Sequence, residues 1–429
     1  MLTRRLLPPG SSPDAAVLVQ TRAVRALGDG LVSVVLAAHL TAIGLSEAEI
    51  GAVVTATMLG SAALTLLVGF RANAIRRRRL LQGLALVMVL TGLGFAVVTS
   101  FAVLLVIALL GTMNPSSGDV SAFLPTEQAL LPSTAPDSER TSLFARYGLV
   151  GTLVAALGAA LAGVPEWIAE RVDTSASTAL RWTFVGYAGL GLVALVRYRR
   201  LSDSIDSTGE HAGDERDGER SDDRRSGRSQ PLGESRRTVY RLAALFSLDA
   251  FGGGFTVTAI IVLWLQNRHD LSTATSGAVF FWAGLLSAFS QLLAPRLAAR
   301  IGLIRTMAFT HIPANVFLIA AALMPNAWSA IVCLLLRAAL AQMDGPARNS
   351  YVMAMVAPHE RPAAASVTAV PRSLIAAVPP LFAGWLLAAT DFGWPLVIAG
   401  VVKILYDLIL LAQFRDLRPP EERAASAAE

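Results

Sequence analysis

The sequence predicts an all-α integral membrane protein, with twelve transmembrane helices in two parallel six-helix pseudo-repeats. Three observations predict it. The composition is too apolar for a soluble chain of this length: of 429 residues 54% are hydrophobic and 16% charged, and mean hydropathy is +0.55. The apolar residues come in blocks that can cross a hydrocarbon core of ~30 Å, which takes roughly 20 residues of helix. The two halves on either side of a polar middle segment resemble each other.

Taken in order, the N-terminus MLTRRLLPPGSSPDAA lacks the apolar core of a signal peptide. Residues 1–22 therefore read as a tail, and residues 23–198 as the first six-helix bundle. Its clearest blocks are Ile50–Phe70, Leu80–Val98, Leu149–Gly163 and Phe184–Val196. From Leu201 to Arg237 the chain mixes acids and bases with almost no apolar residue. Such a segment buries too little surface to order itself, so residues 199–239 read as a flexible linker. The second bundle, residues 240–414, holds Ala274–Leu293, Met307–Met324 and Trp394–Leu411, and residues 415–429 form a second tail.

With this topology most arginines lie in the termini, the linker or loops on that same side; only Arg171, Arg181 and Arg268 fall on the other. Positive residues stay inside, which places both termini in the cytoplasm of a multi-pass plasma-membrane protein. The net charge of +5 is thus a topology signal, and no nucleic-acid partner is expected. The lone Cys333 rules out an intramolecular disulfide. A phosphate-binding loop would need Gly-Lys-Ser/Thr, but the only lysine, Lys403, follows Val402. ATP-driven transport is excluded, and no catalytic grouping or cofactor site appears.

The internal similarity has two parts. LSEAEIGAVVTATMLGSAALTLL from Leu45 matches LSTATSGAVFFWAGLLSAFSQLL from Leu271, and SERTSLFARYGLVGTLVAALGAALAG from Ser138 matches HERPAAASVTAVPRSLIAAVPPLFAG from His359. Two matches in the same order indicate duplication, and an even number of spans per half makes the repeats parallel.

The loop after the second span reads Gly69-Phe-Arg-Ala-Asn73-Ala-Ile-Arg76-Arg77-Arg78, and its counterpart keeps Arg300, Gly302 and Arg305. This resembles the Gly-x-x-x-Asp-Arg/Lys-x-Gly-Arg-Arg loop of the major facilitator superfamily, and the resemblance covers nearly the whole chain. It implies alternating access between two six-helix halves, with Gly69, Asn73, Arg77, Arg300, Gly302 and Arg305 in gating loops that lock the cytoplasmic side. Asn73 and Ala299 stand where the family has acids. Gly148, Gly151, Gly158 and Gly163 in the fifth span lack the Gly-Pro pair of the family's drug/proton antiporters, and read as close helix packing.

Charged and helix-breaking residues inside spans mark the candidate site. The fourth and tenth spans are interrupted at corresponding places, MNPSSGD from Met113 to Asp119 and Met343-Asp-Gly-Pro346. Asp119, Glu127, Gln128, Asp344, Arg348, Asn349 and Tyr351 are expected to line the pathway. The repeat register sets Glu127 opposite Arg348, predicting a pair that faces across the cleft. Asp29 and Asp249, early in the first helix of each half and flanked by glycines, are candidate proton carriers. Arg146 and Arg372 are placed on cavity-lining helices by the resemblance and need a carboxylate or an anionic substrate. Lys403 and Asp407, four apart, are expected to pair with each other. Met307 with His311, and Met113 with Met343, are weak soft-metal motifs, so no metal site is assigned.

The leading expectation is a monomeric secondary active transporter, not an enzyme, coupled to protons and exporting a small amphipathic or cationic compound. Two alternatives stay open: transport of an organic anion or metabolite through the arginines, and a non-transporting membrane sensor on the same fold.

Overall fold

The computed structural model describes residues 7–71, 75–116, 121–202, 205, 233, 235–356 and 360–414. Among them the secondary structure is helical, with no strand. The first half contains α1 (Pro13–Ala42), α2 (Glu47–Arg71), α3 (Arg77–Val97), α4 (Phe101–Leu110), α5 (Phe123–Leu130), α6 (Arg140–Ala160), α7 (Val164–Val172) and α8 (Ala176–Tyr198). The second contains α9 (Arg236–Gly254), α10 (Thr258–His269), α11 (Thr273–Ile301), α12 (Leu303–Leu323), α13 (Ala327–Ala341), α14 (Asp344–Met355), α15 (Arg361–Ala376), α16 (Pro379–Ala389) and α17 (Trp394–Phe414). Ten helices or helix runs are long and apolar enough to span a membrane. The shorter apolar helices α4 and α13 stand where the fourth and tenth spans are expected, an arrangement consistent with twelve crossings.

Helix starts differ from the sequence boundaries. α1 begins at Pro13, inside the expected tail, because Ser12 takes the N-cap position, proline opens the first turn and Asp14 adds a favourable negative charge there. Asp14 also accepts the backbone N–H of Ser202 at 3.0 Å, tying this helix to the end of the first half. α9 begins at Arg236, within residues 199–239. The two expected interruptions are unequal. α4 ends at Gly111, residues 112–116 are non-helical, and α5 begins at Phe123; part of the expected interruption, with Asp119, lies outside the described residues. Gly345 and Pro346, by contrast, lie in the first turn of α14, where a missing N–H costs no helical hydrogen bond. They start a helix rather than break one. A short break, residues 255–257, separates α9 from α10.

Lipid removes the hydrophobic drive between helices, so close backbone approach takes its place. A Cβ on Gly30 would lie 1.9 Å from the Ala155 carbonyl oxygen, and one on Gly158 2.2 Å from that of Leu27, so α1 and α6 meet backbone to backbone. Trp167, Trp182, Trp328, Trp385 and Trp394 are exposed near the helix ends away from the termini, as in an interfacial aromatic belt. One apolar core runs through both halves, from Leu36, Phe95 and Phe184 to Ile261 and Trp264. Another, with Phe246, Met307, Tyr351 and Tyr406, lies within the second half.

The halves are sealed at the end away from the termini. A Cβ on Gly384 would come within 2.4 Å of the Glu47 carbonyl oxygen, and one on Gly51 within 2.5 Å of that of Pro380. Beside them Gly277 sits against Ala159 and Ala162. The Asn267 amide donates to Glu47 at 3.3 Å, and the Thr273 N–H to Glu166 at 3.1 Å. Gly384→Val is expected to force this seal apart. A cysteine at the buried Ala162, with Cys333 replaced by serine, should then react with a membrane-impermeant maleimide, and should stay protected when Gly384 is kept.

Candidate transport site

Between the halves lies a cavity of about 160 Å3. From the first half it is lined by Arg22 of α1, Ser116 in the turn after α4, and Gly151, Thr152 and Ala155 of α6. From the second come Phe280, Gly284, Ser287 and Gln291 of α11, and Gln342 between α13 and α14. None of the acids proposed from the sequence is in this lining among the described residues.

Glu127, Asp249 and Asp344 are instead paired inside their own halves. Glu127 on α5 is fully buried, and its two carboxylate oxygens accept from four groups. Thr21 Oγ1 donates at 3.1 Å and the Tyr198 hydroxyl at 2.6 Å, and the Tyr147 hydroxyl and the Arg25 guanidinium complete the set. Arg25, also buried, stacks 4.2 Å over the Phe123 ring. α1, α5, α6 and α8 are thereby joined through one carboxylate.

In the second half Asp249 of α9 is the hub. Lys403 Nζ donates to its Oδ1 at 2.7 Å, and Arg348 Nη1 to its Oδ2 at 3.0 Å. Arg348 also lies 3.5 Å from Asp344, one turn back on α14. His311 of α12 places Nε2 3.8 Å from Asp249 and Nδ1 at 3.0 and 3.1 Å from the two oxygens of Asp407. Arg372 on α15 is within electrostatic reach of Asp249. The network joins α9, α12, α14 and α17, all but hidden from solvent.

Several expectations are corrected here. Glu127 and Arg348 do not face each other; each is committed to an ion pair with the first helix of its own half. The polarity is reversed: base on α1 and acid on α5 in the first half, acid on α9 and base on α14 in the second. Lys403 and Asp407 do not pair with each other, because Asp249 and His311 offer each a partner across the bundle. The glycines beside Asp29 admit no water or substrate, since Gly28 faces the Tyr187 ring and Gly30 the backbone of α6. Asp29 itself is buried, with no hydrogen bond or ion pair among the described residues. Gln128 is exposed but not in the cavity lining, Tyr351 packs edge-on against Phe414 in the core, and Arg146 is half-buried outside the cavity lining. Asp119, Asn73 and the Asn349 side chain lie outside the described residues.

Arg77 and its neighbour Arg78 hydrogen-bond within the first half. Arg77 donates to the Ala129 carbonyl at 3.4 Å and Arg78 to that of Arg199 at 2.7 Å, placing positive charge at the C-terminal ends of α5 and α8. Gly69 is in the last turn of α2. Gly302, at φ +86°, makes the corner between α11 and α12 that a side chain would strain, and Arg300 and Arg305 beside it are exposed.

Sequence reasoning missed Arg22 and Arg25, placed at a tail boundary, and the phenols of Tyr147 and Tyr198. The available signal was a pair of arginines three apart running into an apolar helix.

A model of the Major Facilitator Superfamily matches residues 21–378. The "Uncharacterized membrane protein YJR124C" of Saccharomyces cerevisiae is 27% identical over 424 residues, covering 94% of each chain. Among solved structures, the nucleoside transporter NupG is similar with a TM-score of 0.69 at 13% identity, over 94% of this chain and 99% of that one. A bacterial homolog of the human lysosomal transporter Spinster, in an inward-facing and occupied conformation, gives 0.70 at 17% identity, over 95% and 99%. A D-xylose-proton symporter gives 0.70 at 16%, over 93% and 97%. At these identities the solved structures share the fold alone, and all three are transporters rather than enzymes. The match of the family model along most of the sequence, on a fold of two packed helical halves around a central cavity, makes this chain a member of the Major Facilitator Superfamily of membrane transporters.

Proposed function

We propose that the chain is a proton-coupled secondary transporter of a small solute, working as a monomer in the plasma membrane with both termini in the cytoplasm. In that orientation the glycine seal closes the outside, and the central cavity is reached from within. Rocking of the two halves about the cavity would expose it alternately.

The observation that carries the coupling is His311 between two carboxylates, Asp407 and Asp249. Three acids, Asp249, Asp344 and Asp407, and the cations Arg348 and Lys403 meet the imidazole in this buried site, with Arg372 and Arg337 within electrostatic reach of Asp249. A proton gained or lost by His311 would therefore change the net charge of a cluster cut off from solvent, and imidazole is the side chain suited to proton exchange near neutral pH. The Tyr406 ring packs edge-on beside the imidazole, at 6.1 Å between ring centroids. Glu127 is a poor carrier by comparison, because protonation would disrupt a carboxylate already holding four donors.

Export by antiport remains the proposed direction, and one experiment reads both coupling and direction. The protein is placed in liposomes with an internal pH dye, and candidate solutes are added outside. Antiport moves protons against the solute and symport with it. In His311→Gln, which keeps a hydrogen bond to Asp407 but no exchangeable charge, solute-driven proton movement should be lost while solute exchange at equal pH continues. Proton movement at the parent rate in that variant would remove His311 from the mechanism.

A further inference from the structure

We infer that the central cavity is a binding site for a small organic anion, with the Arg22 guanidinium as its counter-charge; this rests on the transporter reading and names its substrate class. It differs from the amphipathic or cationic compound that the intramembrane acids first indicated.

The argument starts from spare donors. Arg25, Arg348 and Lys403 are each ion-paired to a carboxylate. Arg22 has no ion pair among the described residues, and its Nε is buried without a hydrogen-bond partner. Its one aromatic contact is with the Tyr147 ring, 5.6 Å from the centroid. The guanidinium lies in a seat made by the absence of a side chain, since a Cβ on Gly151 would be 2.4 Å from Arg22 Nε. An unpaired arginine held at a cavity wall is a ready partner for a carboxylate, which it meets through two parallel N–H donors.

The remaining polar lining is uncharged. The hydroxyls donate their protons to the protein, Ser116 to Asn114, Thr152 to the Gly148 carbonyl and Ser287 to the Ala338 carbonyl, so donors for an anion must come from other groups. The amides of Gln291 and Gln342 make no hydrogen bond among the described residues, so their N–H groups add to those of Arg22. No acid lines the cavity among the described residues. Asp29, two turns beyond Arg22 on α1, is within electrostatic reach of it but outside the lining. A space of about 160 Å3 resembles cavities that hold a benzene-sized molecule. Because Arg22 belongs to one half and both glutamines to the other, a bound anion would bridge the halves and be released as they part.

The test is equilibrium binding to the purified full chain at fixed pH, with no gradient, so failure of proton coupling leaves it unaffected. Probes are benzoate, pyruvate and succinate, with benzamide and benzamidinium as neutral and cationic counterparts of benzoate. At least one carboxylate should bind, benzoate should bind better than benzamide, and benzamidinium should not bind. Affinity should fall about tenfold or more in Arg22→Gln, remain in Arg22→Lys, and fall in Gly151→Val, which displaces the guanidinium without removing its charge. Asp29→Asn should bind as the parent does. Three results would each overturn the inference: no carboxylate binding to a folded parent chain, carboxylate binding unchanged in Arg22→Gln, or benzamidinium binding that Asp29→Asn abolishes.

Discussion

A chain carrying Glu127→Arg together with Arg348→Glu is expected not to accumulate as folded protein. A pair facing across the cleft would survive this exchange, because the two charges would only trade places. In the observed arrangement the new arginine meets Arg25 and the new glutamate meets Asp249, each where almost no solvent reaches. Breaking one buried pair by removing a partner costs about 3–5 kcal/mol. Two such losses are comparable with the whole stability of a typical domain, about 5–15 kcal/mol. The exchange within the first half, Arg25→Glu with Glu127→Arg, keeps opposite charges together. It also leaves the hydroxyls of Thr21, Tyr147 and Tyr198 able to accept instead of donate. It should retain far more folded protein. Size-exclusion of a fluorescent fusion and thermal unfolding in detergent decide the matter: equal loss in the two double variants would refute pairing within the half.

Asp249→Asn is expected to produce the largest loss of transport. It strands Lys403, 2.7 Å from the lost charge, and leaves Arg348 only the weaker contact with Asp344 at 3.5 Å. The stability cost should again be about 3–5 kcal/mol. Adding Lys403→Met removes the stranded ammonium and should recover most of that stability. Proton-coupled transport should stay absent, because His311 then faces one carboxylate instead of two. Liposome recordings alongside thermal unfolding separate the two effects. Restored transport in the double variant would reduce Asp249 to a structural counter-ion.

The spans were legible in the sequence because each is a local property: a block of about twenty apolar residues needs no knowledge of its neighbours. Most of the linker expected at residues 199–239 lies outside the described residues. Contacts between helices are not local. The repeat register sets Glu127 opposite Arg348, and each pairs with the first helix of its own half; pseudo-symmetry relates equivalent positions in separate bundles and does not bring them together. Lys403 and Asp407 satisfy the spacing rule for a helix surface, and inside a bundle each found a better-placed partner on another helix. Gly345-Pro346 looked like a breaker because composition cannot tell the first turn of a helix from its middle. Tyr147 and Tyr198 counted as apolar bulk, although their hydroxyls reach the same carboxylate.

The reversed polarity of the two ion pairs also acts as an address. A duplicated chain makes two copies of a first helix and two copies of the short segment that must dock on it, and the wrong combinations are geometrically plausible. Here α14 on α1 would bring Arg348 to Arg25, and α5 on α9 would bring Glu127 to Asp249. Both wrong matches place like charges together away from water, and both right ones neutralise them. Divergence after duplication thus left each docking segment compatible with one half and repelled by the other, a form of discrimination built from the mismatches as much as from the matches.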